Sequence, residues 1–306
     1  MRILVVGAGG VGGYFGGRLA EKGGDVTFLV RDHRKLQLEQ NGLVIHSTHG
    51  NTTLRVKTLI SGEKQKSFDL ILLSVKAYHL DQVIHSLRPY VDNHTVILPL
   101  LNGVSHLEKL QQSFSTKNVL GGLCFIETTL NDQGHIEHYS PQHDLVFGEL
   151  NGELTERVER IHQILNIGNF QTSLSRHIIK KMWHKYIFIS TMSGMTAMMK
   201  SNIGTILESP YGKETLERLL TEIIQIAKTQ EPSIDPDIYE QVMKTVLTMS
   251  PTFKSSMQRD LEKGLPIETD HLHGTLLRYA PNHLDTPILK TVYSTLMAYT
   301  RKQNYS

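Results

Sequence analysis

Residues 2–12 read Arg-Ile-Leu-Val-Val-Gly-Ala-Gly-Gly-Val-Gly, a short apolar run that breaks into glycines at 7, 9 and 12 and then continues as a helix-length stretch. An apolar run without alternation suits a strand buried on both faces. The first glycine permits a tight turn out of the strand, the second lets backbone approach a bound group, and the third lets the helix pack closely on the strand. The helix N-terminus then offers unpaired N–H groups and a partial positive charge, which is what a phosphate needs. This GxGxxG spacing predicts a strand–turn–helix that holds a dinucleotide pyrophosphate at Gly7, Gly9, Gly10, Val11 and Gly12.

The same texture continues along the first half of the chain. Short unalternating apolar runs at 3–6, 26–30, 70–75 and 96–100 are separated by helix-length stretches at 11–23, 32–41, 78–88 and 104–112. Strand alternating with helix predicts a doubly wound α/β sheet with parallel strands. Strand candidates at 118–128, 135–139 and 144–149 surround Asn131-Asp132-Gln133-Gly134 and suggest an antiparallel addition, closed by a helix at 153–166 and a strand at 169–173. From about residue 176 the pattern becomes helical. Segments 177–200, 212–230, 236–249, 252–263, 268–280 and 285–301 are punctuated by proline and glycine. The expectation is a Rossmann-type dinucleotide domain over 1–175 and an all-helical domain over 176–306 that supplies substrate and catalytic groups.

Composition excludes several classes. Lys+Arg of 32 against Asp+Glu of 30 leaves no basic surplus for nucleic acid. Cys124 is the chain's one cysteine, so neither an internal disulfide nor a cysteine-rich metal site is expected, and its apolar setting reads as core. No stretch reaches the roughly 18–20 apolar residues that a membrane span requires. Glycines interrupt the N-terminal apolar run too soon for a signal peptide, which points to the cytoplasm. His271 and His273 with Asp270 form the densest histidine group, but i,i+2 residues on a helix point apart, so no metal site is expected. Met192, Met195, Met198 and Met199 read as helix packing or a flexible lining.

The end of the second buried run bears on which dinucleotide binds. An acid there holds the ribose 2′-hydroxyl of NAD, whereas cations suit the 2′-phosphate of NADP. Val30 is followed by Arg31, Asp32, His33, Arg34 and Lys35, so the cations favour NADP, with Arg31 able to stack on adenine or grip the phosphate. In the helix predicted at 178–193, Lys180, His184 and Thr191 share an arc of roughly 40°, while Lys185 lies at least about 100° away. Its face carries Ile178, Met182, Ile189 and Met192. A lysine in an apolar stripe either snorkels to water or faces a cleft, where desolvation would lower its pKa and make it a better proton donor.

Taken in order, the GxGxxG opening, Arg31, Ser74-Val75-Lys76-Ala77, Leu101-Asn102-Gly103, Trp183-His184-Lys185, Ser255-Ser256-Met257 with Asp260, and Ile267-Glu268-Thr269-Asp270 with Gly274 resemble ketopantoate reductase (2-dehydropantoate 2-reductase). The resemblance spans nearly the whole chain. It implies NADPH-dependent reduction of 2-dehydropantoate to (R)-pantoate on the route to pantothenate and coenzyme A. It further implies that Lys185 gives a proton to the carbonyl oxygen and that Glu268 orients lysine and substrate. Asn102 would contact substrate and the nicotinamide side of the cofactor, Lys76 would line the same cleft, and Ser256 would bind the substrate carboxylate or hydroxyl. Where the family often has asparagines, one and two turns after the lysine, this chain has Ile189 and Ser193, and Ser193 is taken as a substrate contact. His273 replaces a common asparagine after the acidic motif.

These departures touch the substrate pocket more than the cofactor site. A paralogous 2-keto-acid or hydroxyacid dehydrogenase and a non-catalytic NADPH sensor are the alternatives, although a sensor needs neither Lys185 nor Glu268. Expected partners are a small-molecule 2-keto acid and, where the chain self-associates, a second copy as a homodimer. Nucleic acid and membrane are not expected partners.

Overall fold

The computed structural model describes residues 1–303 and divides into two compact units. One comprises Met1–Leu101 with His106–Ile178; the other comprises Asn102–Ser105 with the chain from Ile179 onward. Residues 304–306, assigned from sequence to the helical domain, lie outside the described residues.

The first unit contains, in order, β1 (Arg2–Val6), α1 (Gly10–Glu21), β2 (Asp25–Leu29), α2 (Asp32–Asn41), β3 (Leu43–Ser47), β4 (Thr52–Leu54) and β5 (Lys57–Leu59). It continues with β6 (Leu70–Leu73), α3 (Leu80–Leu87), β7 (Val96–Pro99), α4 (His106–Ser113), β8 (Gly121–Leu130), β9 (Ile136–Gly148), α5 (Glu156–Leu165) and β10 (Gln171–Leu174). Strands β5, β2, β1, β6 and β7 form one parallel sheet in that spatial order. All residues of β6 and β7 are buried, which accounts for their unalternating apolar sequence.

A second sheet is more extensive than the sequence predicts. β9 is one continuous strand rather than separate strands at 135–139 and 144–149. Its polar middle stays extended because β8 runs antiparallel beside it, and the Glu127 N–H bonds to Ser140 Oγ at 3.0 Å across a register shift. β3 and β10 lie parallel to β9, and β4 is antiparallel to β3. Short or polar strands such as Thr52–Leu54 carry little periodic signal, so β3 to β5 were not expected from sequence.

Helix α1 packs against both sheets. A side chain at Gly16 would strike Val5 and Phe28 of the parallel sheet, while one at Gly13 or Gly17 would strike Ile136, Leu43 or Ile45 of the other. Each mid-helix glycine costs about 0.5–1 kcal/mol relative to alanine. Close packing on two sides therefore holds this helix, in spite of its propensity.

The second unit is helical: α6 (Ile178–Met199), α7 (Ile203–Glu208), α8 (Gly212–Gln230), α9 (Ile238–Thr248), α10 (Ser256–Glu262), a π-helical turn (Asp270–Gly274), α11 (Thr275–Tyr279) and α12 (Pro287–Gln303). Its core takes Leu216, Leu219, Leu220 and Ile223 of α8 with Tyr186, Ile187 and Met195 of α6. Met192 and Met195 are buried, but Met199 is exposed. The helix predicted at 252–263 begins only at Ser256, because the Ser255 hydroxyl caps it by accepting from the Gln258 N–H. Glu222 of α8 is buried and accepts from the N–H groups of Ile288 and Leu289 at 3.0 and 2.8 Å, placing an acid at the positive end of α12. Among the described residues no helix is long and apolar enough to cross a membrane.

Candidate functional site

In the first unit, the ends of adjacent strands carry the predicted cofactor residues other than Asn102. Gly7 follows β1 with φ +95°, a left-handed backbone that strains any other residue, and a side chain there would meet the Ser74 carbonyl at 2.9 Å. Gly12 faces the Gly7 carbonyl and Ser74 too closely to admit a Cβ. Gly9 differs, since a Cβ there would meet nothing within 4 Å. No side chain caps α1, and its first turn contains no acid. The open space at Gly9, just before an uncapped helix N-terminus at Gly10, Val11 and Gly12, fits a dinucleotide pyrophosphate.

Arg31 follows β2 and Lys76 follows β6, the strands on either side of β1. Arg31 is the N-cap of α2, and its Nη2 lies 3.3 Å from both ring nitrogens of His79. Lys76 is half-buried at the start of the 3-10 turn Ala77–His79. Burial and the neighbouring Arg31 charge hold His79 below the usual imidazole range. His79 gave no local sequence signal; it comes to Arg31 only through the adjacency of strands. The cluster of cations read from sequence thins out here. Arg34 is buried, donating to the Gly134 carbonyl at 2.8 Å and to Gln37, and Lys35 pairs with Glu63 at 3.0 Å. Arg31 is the member of that cluster left at the strand end.

The predicted substrate and catalytic residues Lys185, Ser193, Ser256 and Glu268 belong to the second unit, and so does Asn102. This corrects the expected boundary, because Asn102–Ser105 groups with the helices although it directly follows the β7 region. On α6, Ile178, Met182 and Met192 are buried while Lys185 and Ile189 are half-buried, so the lysine sits in the apolar stripe drawn by the wheel. The other arc is engaged elsewhere. Lys180 is ion-paired with Asp235, whose N–H donates to His184 Nε2 at 3.3 Å. Thr191 departs from that polar arc, being fully buried and bonded to the Ile187 carbonyl.

Glu268 lies immediately before the segment 269–279, and its carbonyl accepts from the Leu272 N–H at 2.9 Å. The Thr275 N–H bonds to the Asp270 carbonyl five residues back, the mark of a π turn. Successive residues of this turn tie to different elements. Asp270 accepts from Arg278 and from Tyr293, each at 3.0 Å. His271 Nε2 donates to the Asn102 carbonyl at 2.7 Å. The Leu272 carbonyl accepts from the Tyr186 hydroxyl at 2.5 Å, and His273 Nε2 donates to the Ser190 carbonyl at 2.9 Å. Tyr186 and Ser190 follow Lys185 by one and five residues on α6, so the turn that begins at Glu268 is fastened to the lysine's own helix. His271 and His273 are hydrogen-bonded in different directions, and among the described residues no histidine, cysteine and acid group could hold a metal.

Residues 3–152 match the family model described as Ketopantoate reductase PanE/ApbA, and residues 177–300 match Ketopantoate reductase PanE/ApbA C terminal. The chain belongs to the ketopantoate reductase family. An uncharacterized oxidoreductase, YkpB of Bacillus subtilis (strain 168), is 45% identical over 300 residues, covering 98% of this chain and 99% of its own. The crystal structure of 2-dehydropantoate 2-reductase from Geobacter metallireducens GS-15 is 26% identical, covers 97% of this chain and 99% of that one, and has a TM-score of 0.89. D-mandelate dehydrogenase, solved with NADH and anilino(oxo)acetate, has a TM-score of 0.90 over 99% of this chain and 100% of its own, at 19% identity, a likeness of fold.

Within this member of the ketopantoate reductase family the positions that depart from the family pattern are structurally committed. Ile189 packs against the helical core. Ser193 is 5% exposed, about 12 Å along the helix from Lys185 at 1.5 Å rise per residue. Ser256 is exposed at the start of α10, beside buried Ser255, which accepts from Thr196 Oγ1 of α6 at 2.7 Å. His273 is fully buried, and burial pushes its pKa down to about 4, so it serves as a neutral donor to Ser190.

Proposed function

We propose that the chain is an NADPH-dependent reductase of a small 2-keto acid in the reducing cytoplasm. Its first candidate reaction is 2-dehydropantoate to (R)-pantoate, the step that feeds pantothenate and coenzyme A. The observation carrying this reading is the fastening of the Glu268 turn to α6 at Tyr186 and Ser190, one and five residues after Lys185, with Asn102 bound to the same turn.

When bound, the nicotinamide supplies a hydride to the C2 ketone. Lys185 holds at Nζ the proton that goes to the carbonyl oxygen as charge develops there. Ile178, Met182 and Met192, buried on the same face of α6, make that face apolar. Glu268 orients the lysine and the hydroxyl that forms. Asn102 would bond substrate and cofactor in the second unit, and Lys76 would serve the cofactor in the first. The N-terminus of α1 takes the pyrophosphate, and Arg31 takes the 2′-phosphate.

A second reading, reduction of a different 2-keto acid, is favoured by Ile189, which packs in the core and offers no amide to substrate. Steady-state rates over a panel of 2-keto acids with NADPH and NADH test both. Clear preference for 2-dehydropantoate supports the first reading, and preference for another keto acid supports the second. Cofactor binding without turnover of any keto acid would indicate the sensor.

A further inference from the structure

The π-helical turn Asp270–Gly274 ties into the helices through Asp270, Leu272 and His273, but His271 reaches the short segment Asn102–Ser105. A carbonyl oxygen only accepts, so His271 Nε2 carries the proton in its 2.7 Å bond to Asn102. That leaves Nδ1 able to accept from the Ser105 hydroxyl, which lies 3.4 Å away. Gly103 between them has φ +79°, and a side chain there would come within 3.2 Å of His271 Nε2, so the segment's backbone is shaped around the imidazole. Val104 packs into the helical core. Together these contacts explain why a segment that follows a strand of the first unit belongs to the second.

We propose that His271 is a positioning residue. It clamps Asn102-Gly103 to the turn that starts at Glu268, so that Asn102 and Glu268 hold one fixed geometry. The functional half of this proposal rests on the assignment of Asn102 to substrate and cofactor; the clamp itself does not. Four bonds, two to α6 and one each to α11 and α12, already hold the turn, so removing the imidazole releases the segment and leaves the turn in place.

The test uses His271→Leu, His271→Gln and Asn102→Ala in the full chain. Amide hydrogen exchange at residues 103–105 reads the clamp without turnover. His271→Leu is expected to raise exchange there by at least about tenfold, a loss of about 1.4 kcal/mol of local protection, with the thermal midpoint within a few degrees. Unchanged exchange overturns the clamp. The rate test follows with the best keto acid. His271→Leu is expected to lower kcat by about tenfold, but by less than about twofold when Asn102 is already alanine, as residues acting through one another should. His271→Gln, whose amide nitrogen can take the place of Nε2, is expected to recover most of the rate. Equal losses in both backgrounds, or raised exchange with undiminished kcat, overturn the positioning role. Full turnover in Asn102→Ala would instead overturn the assignment of Asn102, and the exchange result would still decide the clamp.

Discussion

The proposed cofactor cradle of the first unit is made of backbone, whereas the proposed catalytic region of the second is made of side chains that meet across long stretches of chain. Gly7, Gly9 and Gly12 act by what they lack, within a dozen residues of the N-terminus. The region around Lys185 depends on Tyr186, His271 and His273, whose partners stand 83 to 169 positions away. A backbone site is defined by local conformation, and a side-chain site by how helices pack. The first is fixed chiefly at its glycines, while the second can be loosened from several elements.

The largest effect should separate the two regions outright. Lys185→Ala is expected to lower turnover by about 100-fold or more, the usual scale for a lost proton donor, with NADPH affinity within a few-fold. Undiminished turnover in steady-state assays would remove Lys185 from the chemistry. Next comes the cradle's own side-chain contact. Arg31→Glu should weaken NADPH by about 10- to 100-fold, from the loss of charge-assisted bonds, and NADH far less. Lys35→Ala, whose partner is Glu63, should leave both within about twofold, as exposed ion pairs contribute little. Fluorescence titration with both cofactors measures this, and equal losses at Arg31 would defeat the NADP assignment.

Smaller effects probe how the side-chain region is held. Tyr186→Phe leaves the buried Leu272 carbonyl without its hydroxyl donor and should cost about 1–3 kcal/mol in urea unfolding. A loss below about 0.5 kcal/mol would mean the turn is held by its other ties. Acid should act on both units with limited slope. His143 of the first and His273 of the second are each lowered from 6.5 to about 4, chiefly by burial. The unfolded chain therefore takes up these protons first, so stability is full above 6.5 and falls as pH drops toward 4. Each histidine contributes at most about 1.4 kcal/mol per pH unit within that window. His273→Asn should remove one such contribution from the pH dependence of the urea midpoint, and an unchanged slope would show that His273 does not titrate on unfolding.

Legibility followed the same division. The parallel strands were readable because full burial leaves unalternating apolar runs, and the helices because their apolar faces recur near 3.6 residues. Strands β3 to β5 were not, being short and polar, and β9 looked like two strands because pairing with β8 carries it through a polar middle. Lys185 could be placed in an apolar stripe from the wheel alone. The i,i+2 spacing of His271 and His273 correctly separated them, but nothing local pointed to Asn102 or Ser190 as their partners. Charge counting at Arg31, Arg34 and Lys35 overstated the cations left at the end of β2, since sequence shows a charge and not what already engages it.

What the sequence determined by itself was the strand–turn–helix cradle and the alternation of segment types, because sterics and periodicity act between near neighbours. Tertiary structure decided which cation stays at the strand end, that Asn102 sides with the helices, and that a π turn fastens the Glu268 segment to α6. Those outcomes depend on groups far apart in the chain, whose meeting is set by packing and hydrogen-bond satisfaction.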